Sequence, residues 1–135
     1  TDIDSYKSGG EDIADDTALG FSPEWTAQGR VSYDFEVFDW GSLMVGTDVS
    51  YRDGAYTNSP IDTTSELGKL QYEDSYVIWN AIATFTTADE HWSVAVQGKN
   101  LDDKRVLTNS FQVGPFVTGA YNMPRTWEVS LAYMF

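Results

Sequence analysis

The sequence predicts an all-β protein, a segment of an antiparallel transmembrane β-barrel with about five strands. Three observations support this fold class. Apolar and polar residues alternate along several stretches, the connections between these stretches alternate in length, and aromatic residues gather near the ends of the stretches. Successive side chains on a strand point to opposite faces, so each stretch would have one apolar face and one mixed, polar face.

The C-terminal stretch, residues 126–135, shows the alternation most clearly. Every second position there carries a large apolar side chain: Trp127, Val129, Leu131, Tyr133 and Phe135. The positions between them are polar, small or narrow. The stretch also has about the length of a tilted strand that crosses the hydrocarbon layer of a membrane.

Four earlier stretches follow the same rule less strictly. They are predicted as strands at about residues 25–37, 42–52, 75–86 and 92–100. Residues 1–24 are rich in glycine and aspartate and show no sustained period, so they are predicted as a long loop, extracellular in a barrel. The whole chain, residues 1–135, is expected to form the C-terminal part of one outer-membrane β-barrel.

The connections between the predicted strands are sorted by length. Residues 38–41 and 87–90 form short turns, whereas residues 1–24, 53–74 and 102–123 form long segments. Outer-membrane barrels have short periplasmic turns and long extracellular loops. If the chain ends on the periplasmic side, both turns lie there and all the long segments lie outside. A soluble meander has no reason to sort its loops in this way.

Aromatic residues near the strand ends are predicted to face the membrane and to form the two interfacial girdles of a barrel. The set is Trp25, Tyr33, Tyr51, Trp79, Phe85, Trp92, Trp127, Tyr133 and Phe135. The alternative is that these side chains form the core of a soluble β-sandwich. The opposite face carries small, amide and a few charged side chains, which suits a polar lumen. On that face Arg30 and Asp48 are predicted to form a charge pair across adjacent strands.

The short turn at 87–90 also predicts a register for the two strands that it joins. Counting back from the turn places Phe85 opposite Trp92 and Trp79 opposite Gly98. The ring of Trp79 would then cover the glycine, which is a known way to protect exposed strand backbone.

Composition excludes several classes of function. The net charge is −13, from 21 acidic and 8 basic residues, whereas nucleic-acid binding needs clusters of Lys and Arg. The chain has no cysteine and therefore no thiolate metal site or disulfide framework. No run approaches the roughly 18 apolar residues of a spanning helix. The excess acid indicates either a solvated loop surface or attraction of cations at a ligand mouth.

No catalytic, cofactor or metal site is predicted, so the protein is not expected to be an enzyme. The single histidine, His91, lies in a tight turn beside Glu90 and is interpreted as a solvated turn residue. Ser-His-Asp chemistry has no motif context, and no glycine-rich loop leads from a strand into a helix. Asp12, Asp15 and Asp16 do not have the spacing of a calcium-binding loop.

Three short motifs carry a family resemblance. They are SPEWTA at 22–27, GKNLDDKR at 98–105, and PRTW at 124–127, which is followed by the alternating strand and terminal Phe135. In this order they resemble the C-terminal end of TonB-dependent outer-membrane receptors. The resemblance covers nearly the whole chain but only the last part of such a receptor.

The chain also departs from the family pattern at two positions. The family often has an aromatic residue at the position of Val106 and a glycine at the position of Glu128. Neither change breaks the strand pattern. Both leave the subfamily, and hence the ligand, open.

The resemblance implies a receptor of the Gram-negative outer membrane that actively takes up a scarce ligand: an iron chelate, cobalamin or an oligosaccharide. Such receptors resemble barrels of about 22 strands with a plugged lumen, so this chain would supply about the last quarter. The implied partners are outer-membrane lipid, an N-terminal plug with the remaining strands, and an energy-coupling complex of the inner membrane. Phe135 would be the end that the barrel-assembly machinery recognises.

Two alternatives from other classes remain open at this point: a small autonomous membrane barrel with a structural or adhesive role, and a soluble, aromatic-rich carbohydrate-binding sandwich. The closing strand separates the sandwich from a piece of a membrane barrel. In the barrel piece one edge of the strand should be unpaired and its apolar side chains exposed. In a sandwich a second sheet should bury those side chains.

Overall fold

The computed structural model describes residues 5–8, 10–60 and 62–135. In chain order the strands are β1 (Lys7–Ser8), β2 (Glu11–Asp12), β3 (Thr26–Val37), β4 (Gly41–Arg52), β5 (Ala55–Tyr56), β6 (Tyr72–Glu73), β7 (Tyr76–Thr87), β8 (Trp92–Lys99), β9 (Leu107–Val113), β10 (Phe116–Tyr121) and β11 (Thr126–Tyr133). The helical elements are one α-helical turn, α1 (Glu66–Lys69), and 3₁₀ turns at Ala14–Asp16 and Phe38–Trp40. Among the described residues, no helix has the length and apolar character that a membrane crossing requires.

The chain divides into two compact units. The first unit comprises residues 1–26, 52–76 and 105–122. The second unit comprises residues 27–51, 77–104 and 123–135.

The second unit contains a five-stranded sheet in the order β11-β8-β7-β4-β3. Each strand ends within two residues of its predicted position. The pairs β7–β8 and β8–β11 are antiparallel. The connection from β3 to β4 has only three residues, so this pair is antiparallel as well. The short connections therefore lie at one end of the sheet, where the Ala88 N–H donates to the Trp40 carbonyl at 2.9 Å.

Local hydrogen bonds close the short turn between β7 and β8. The Thr87 hydroxyl donates to the Asp89 carboxylate at 2.6 Å and accepts from the Trp92 N–H at 3.0 Å. The hydrogen bond from Thr87, followed by that from the backbone N–H of His91, lowers the pKa of the Asp89 carboxyl below its ordinary value. The imidazole of His91 is half exposed and lies 3.3 Å from Asp89, which agrees with a solvated turn residue.

The predicted register of β7 and β8 is wrong by two residues. Phe85 lies opposite Val94 rather than Trp92, and Ala81 rather than Trp79 lies opposite Gly98. The error arises because Thr87 still belongs to β7, so the four-residue turn lies at residues 88–91 rather than at 87–90. A slip of two residues keeps every side chain on its predicted face, because the side-chain period of a strand is two.

An aromatic ring does cover Gly98, but it belongs to a residue of β11 rather than to Trp79 of β7. Trp127 of β11 lies directly across from Gly98. A Cβ atom at Gly98 would lie 2.9 Å from the Trp127 ring and 2.6 Å from the Leu101 side chain, so both side chains pack on the bare backbone. The closing strand therefore protects this part of β8.

The closing strand β11 has the exposed face and the open edge that a barrel piece requires. It pairs with β8 from Thr126 to Tyr133, and within the described residues no strand pairs with its other edge. Trp127, Val129 and Leu131 are 65%, 70% and 65% exposed, and Tyr133 is 45% exposed. The open edge and the exposed apolar side chains predicted for a barrel piece are confirmed, because no second sheet of the described chain buries these side chains.

Asn100 makes hydrogen bonds to the chain on both sides of the last long loop, near the motifs at 98–105 and 124–127. Its side-chain amide donates to the carbonyl oxygens of Lys104 and Met123 at 2.9 and 3.0 Å, and its carbonyl oxygen accepts from the Lys104 N–H at 2.9 Å. Asn100 is 5% exposed and has a φ of 52°, a conformation that asparagine adopts more readily than most residues. Close by, the Asp103 carboxylate accepts from the Arg125 N–H at 2.8 Å.

The first unit contains strands where the sequence predicted only long loops. Within the predicted loop 102–123, β9 and β10 form a hairpin in which Val113 pairs with Phe116. Gly114 and Pro115 make the turn, and Gly114 has a φ of 56°. A positive φ at the first central position followed by proline fits a type II′ turn, which suits the twist of a hairpin.

The few buried residues that the structure describes in the first unit include both polar and apolar side chains. Thr57, Gln71 and Ser110 are nearly inaccessible, beside Val106 and Leu107. The Thr57 N–H and hydroxyl both donate to the Gln71 backbone carbonyl, at 2.8 and 2.9 Å, and the Thr57 and Ser110 hydroxyls lie 2.8 Å apart. These contacts join the segments around β5, β6 and β9. The described part of the unit thus combines buried hydrogen bonds with a small set of buried apolar residues.

Replacing Trp127 by alanine should destabilise the barrel by about 1–2 kcal/mol, because roughly a third of a large ring loses its contact with Gly98 and Leu101. The matched control is Val129→Ala, on the same face of β11 but opposite Val96 rather than glycine. The control should cost less than about 1 kcal/mol. Denaturant midpoints of the complete receptor in micelles measure both, and equal losses would contradict the role of Trp127.

Replacing Asn100 by alanine should cost about 2–4 kcal/mol, because buried backbone groups lose their partners and the positive φ becomes unfavourable. Asn100→Gly tolerates the φ but still loses the side-chain bonds, so it should recover only part of the loss. Asn109→Ala, at an exposed position of β9, is the control and should change little. A glycine variant as stable as the parent in the same unfolding experiment would show that the side-chain bonds contribute nothing.

Candidate functional site

The predicted membrane-facing residues are exposed or half-buried in the structure. Trp25, Tyr33, Trp79, Trp92, Trp127, Tyr133 and Phe135 are exposed, whereas Tyr51 and Phe85 are intermediate. Trp25 belongs to the first unit, and the others belong to the second. Their contact with lipid remains a proposal.

Aromatic side chains form a cluster at the short-turn end of the sheet. The rings of Trp92 and Tyr133 lie 4.7 Å apart between centroids, and the Phe135 ring meets that of Tyr133 edge-on at 5.0 Å. The His91 ring lies 6.0 Å from Tyr133. The cluster follows from the β8–β11 register, in which Tyr133 lies directly opposite Trp92.

Sequence reasoning missed two exposed aromatic residues at the same end of the sheet. Phe38 and Trp40, in the connection between β3 and β4, are 94% and 75% exposed. The sequence analysis assigned them only to a turn. The signal that could have found them was the pair of aromatic residues in a connection of three residues, where small polar residues are usual.

The inner face does not contain the predicted pair of Arg30 and Asp48. Among the ion pairs of the described residues, none joins these two side chains. The Asp48 carboxylate instead accepts a hydrogen bond from the Asn80 side-chain amide at 2.7 Å. Asn80 in turn accepts from the Asn100 backbone N–H at 2.9 Å. Asn80 belongs to β7, whereas Arg30 belongs to β3, and these two strands lie on opposite sides of β4.

One ion pair does cross the closing strand pair on this inner face. Lys99 Nζ of β8 lies 3.5 Å from the Glu128 carboxylate of β11. Both side chains are more than half exposed. Such a pair contributes about 1 kcal/mol or less to stability.

The first unit contains an open cavity of about 520 Å³ with acidic and aromatic walls. Its lining includes Asp15, Glu24, Tyr56 and Tyr72. The two tyrosine rings meet edge-to-face, with centroids 5.1 Å apart at an angle of 71°. Partial burial, then the negative charges of Asp53 and other nearby carboxylates, raises the pKa of the Tyr72 hydroxyl.

A second cavity in the same unit, of about 500 Å³, has polar walls. Asp62, Gln71 and Gln112 contribute to its lining. The side-chain N–H of Gln71 donates to the Leu67 carbonyl at 3.1 Å, while its Oε1 atom is buried without a partner among the described residues. Hydrogen bonds from the hydroxyl and N–H of Thr64 lower the pKa of the Asp62 carboxyl, so this carboxylate is already satisfied.

Near the N-terminus, the Asp12 carboxylate is held by hydrogen bonds from neighbouring groups of the chain. The Asp12 carboxylate accepts hydrogen bonds from the Tyr6 N–H and the Ser5 hydroxyl at 2.9 Å each, and from the Ala14 N–H at 3.2 Å. These bonds, with that of Tyr6 largest, lower the pKa of Asp12. Across residues 5–8, 10–60 and 62–135, no group of three or more His, Cys, Asp or Glu side chains could hold a metal ion.

Comparison with known proteins identifies a family that matches the chain and a solved structure with a similar fold. Residues 1–101 match the family described as TonB dependent receptor-like, beta-barrel. The ferric yersiniabactin uptake receptor FyuA from Yersinia pestis has a similar fold, with a TM-score of 0.72 and 20% sequence identity over 86% of this chain. No curated protein sequence matches the chain.

The likeness to that receptor concerns the fold alone, and this chain covers 17% of its length. The sheet β11-β8-β7-β4-β3 is accordingly an open part of a larger barrel wall. The family match extends over most of the chain, from the first loop to the end of β8. The chain therefore belongs to the TonB-dependent receptor-like β-barrel family.

Proposed function

We propose that this chain forms part of the wall and the extracellular loops of an outer-membrane receptor for the active uptake of a scarce ligand. The ligand is an iron chelate, cobalamin or an oligosaccharide. The family membership supports this function, since the family consists of receptors rather than enzymes. The function requires a plug, the remaining strands of the barrel and an energy-coupling partner in the inner membrane.

The observation that carries the proposal is the continuous apolar face of β8 and β11. Across the strand pair Leu131 lies opposite Val94, and Val129 lies opposite Val96. All four side chains are exposed. Soluble proteins rarely expose contiguous apolar patches of more than a few hundred Å². Lipid is the solvent in which such a face is stable, because it covers the side chains at no cost.

The inner face has the complementary character of a receptor lumen. Asp48, Asn80 and Asn100 are linked by hydrogen bonds, and Lys99 pairs with Glu128. A polar lumen is what a water-filled or plugged barrel requires. The division between an apolar outer face and a polar inner face thus favours an outer-membrane barrel of the Gram-negative type.

A matched pair of substitutions on neighbouring residues of β11 tests the orientation toward lipid. Val129→Arg places a charge on the proposed lipid face and should destabilise the barrel by about 2–4 kcal/mol near the middle of the bilayer. Ser130→Arg introduces the same side chain on the lumen face and should cost much less. Unfolding by urea of the receptor in phospholipid vesicles measures both. Equal losses, or a larger loss for Ser130→Arg, would refute the membrane orientation.

The C-terminal Phe135 is proposed as the end that the barrel-assembly machinery recognises. Deleting it, or replacing it by alanine, should reduce the amount of receptor in the outer membrane, whereas Phe135→Tyr should preserve assembly. Fractionated membranes and heat-dependent electrophoretic mobility measure the assembled receptor. The purified deletion variant should still refold in detergent with at most a small loss of stability, because Phe135 lies beyond the last residue of β11 and is fully exposed. A normal amount of the deletion variant in the outer membrane would exclude this role.

A further inference from the structure

We propose that the acidic, aromatic cavity of the first unit binds an organic cation, such as an alkylammonium group of the transported ligand. This inference rests on the proposed function, because it names a chemical class for the ligand of the receptor. The described lining of the cavity comes from the segment 14–24, which precedes β3, from residues 54–56, which include β5, and from Tyr72 at the start of β6. Its volume of about 520 Å³ is sufficient for a small organic group.

The aromatic wall supplies the first part of the argument. Tyr56 and Tyr72 pack edge-to-face with centroids 5.1 Å apart, and Tyr72 remains 44% exposed. Gly54 holds this arrangement open, because a Cβ atom there would collide with the Tyr72 hydroxyl oxygen. The face of a tyrosine ring attracts a cation that lies within about 6 Å of its centroid.

Charge supplies the second part. Asp15 and Glu24 line the cavity, and no Lys or Arg is among its described lining residues. Neither carboxylate has a hydrogen-bond or ion-pair partner in the part of the chain that the structure describes. Partial burial, and after it the charges of nearby acidic groups that include Glu24, raise the pKa of the Tyr72 hydroxyl. An anionic ligand group would be repelled here, whereas a cation would be attracted.

The distribution of the carboxylates distinguishes an organic cation from a bare metal ion. A metal ion needs several oxygen or nitrogen ligands that converge at bonding distance. In the described residues no group of three or more acidic or histidine side chains converges in this way. An alkylammonium group needs only an aromatic face and a diffuse negative field, and the cavity provides both.

The test uses the complete receptor that carries this chain, purified in detergent micelles. The probes are choline, a quaternary ammonium ion, and 3,3-dimethyl-1-butanol, its uncharged analogue of the same shape. Calorimetric titration should detect binding of choline and no binding of the uncharged alcohol at the same concentration. Added salt should weaken the binding of choline.

Four variants locate the binding in the cavity. Tyr72→Leu and Glu24→Gln should each weaken choline binding about three- to tenfold, because each removes one attractive group. Tyr72→Phe keeps the aromatic face and should bind as the parent does. Glu66→Gln removes one charge from the same unit but lies outside the cavity lining, so it should leave binding unchanged.

Two outcomes would overturn the inference: equal binding of the two probes, or an equal effect of Glu24→Gln and Glu66→Gln. Glu24→Gln and Tyr72→Phe preserve the shape of the side chain, so the result does not depend on whether Tyr72→Leu folds. The proposed receptor function and the proposed ligand class can be refuted separately. A receptor that shows the contrast between Val129→Arg and Ser130→Arg but no preference for choline retains its proposed function and loses only this ligand class.

Discussion

Backbone hydrogen bonding in a lipid environment is the constraint on which the rest of this structure depends. In hydrocarbon there is no water to satisfy an unpaired N–H or C=O group, so a membrane-crossing strand needs a neighbour on each side. The inner strands β8, β7 and β4 have two neighbours, whereas β11 and β3 have one each within the described chain. The sheet is therefore stable in a membrane only as part of a closed barrel wall. This explains why an open sheet resembles so closely a portion of a much longer receptor.

The apolar face follows from the same constraint. In the proposed orientation the outward-pointing side chains meet lipid once pairing is complete, which accounts for large apolar side chains that no protein buries. Val129 and Leu131 would be unusual on the surface of a soluble domain, yet they are among the most exposed side chains of β11. Stability then depends on cross-strand contacts along the face. The packing of Trp127 over Gly98 is one of these contacts.

Polar hydrogen bonds have a different role in each unit. At the end of β8, Asn100 fixes the chain where it leaves the sheet and again where it returns through Met123. In the first unit, Thr57, Gln71 and Ser110 form a buried, hydrogen-bonded polar group beside the few buried apolar residues. Long loops that must remain soluble and yet hold a shape can be built in this way, because short hydrogen bonds are directional. The acidic and aromatic cavity around Tyr72 lies in this first unit.

The sequence by itself determined the strands and their faces. Alternation with a period of two places Trp127 and Ser130 on opposite faces whatever the register, and the motifs at 22–27, 98–105 and 124–127 indicated the family. Only the tertiary structure decided the register, because a slip of two residues leaves the pattern unchanged. It also decided the partner of Asp48, since Arg30 and Asn80 lie on different neighbouring strands and alternation does not choose between them. The hairpin β9–β10 was missed for a similar reason. A Gly-Pro pair breaks a strand in most contexts, and it becomes a hairpin turn only when the flanking segments pair across it.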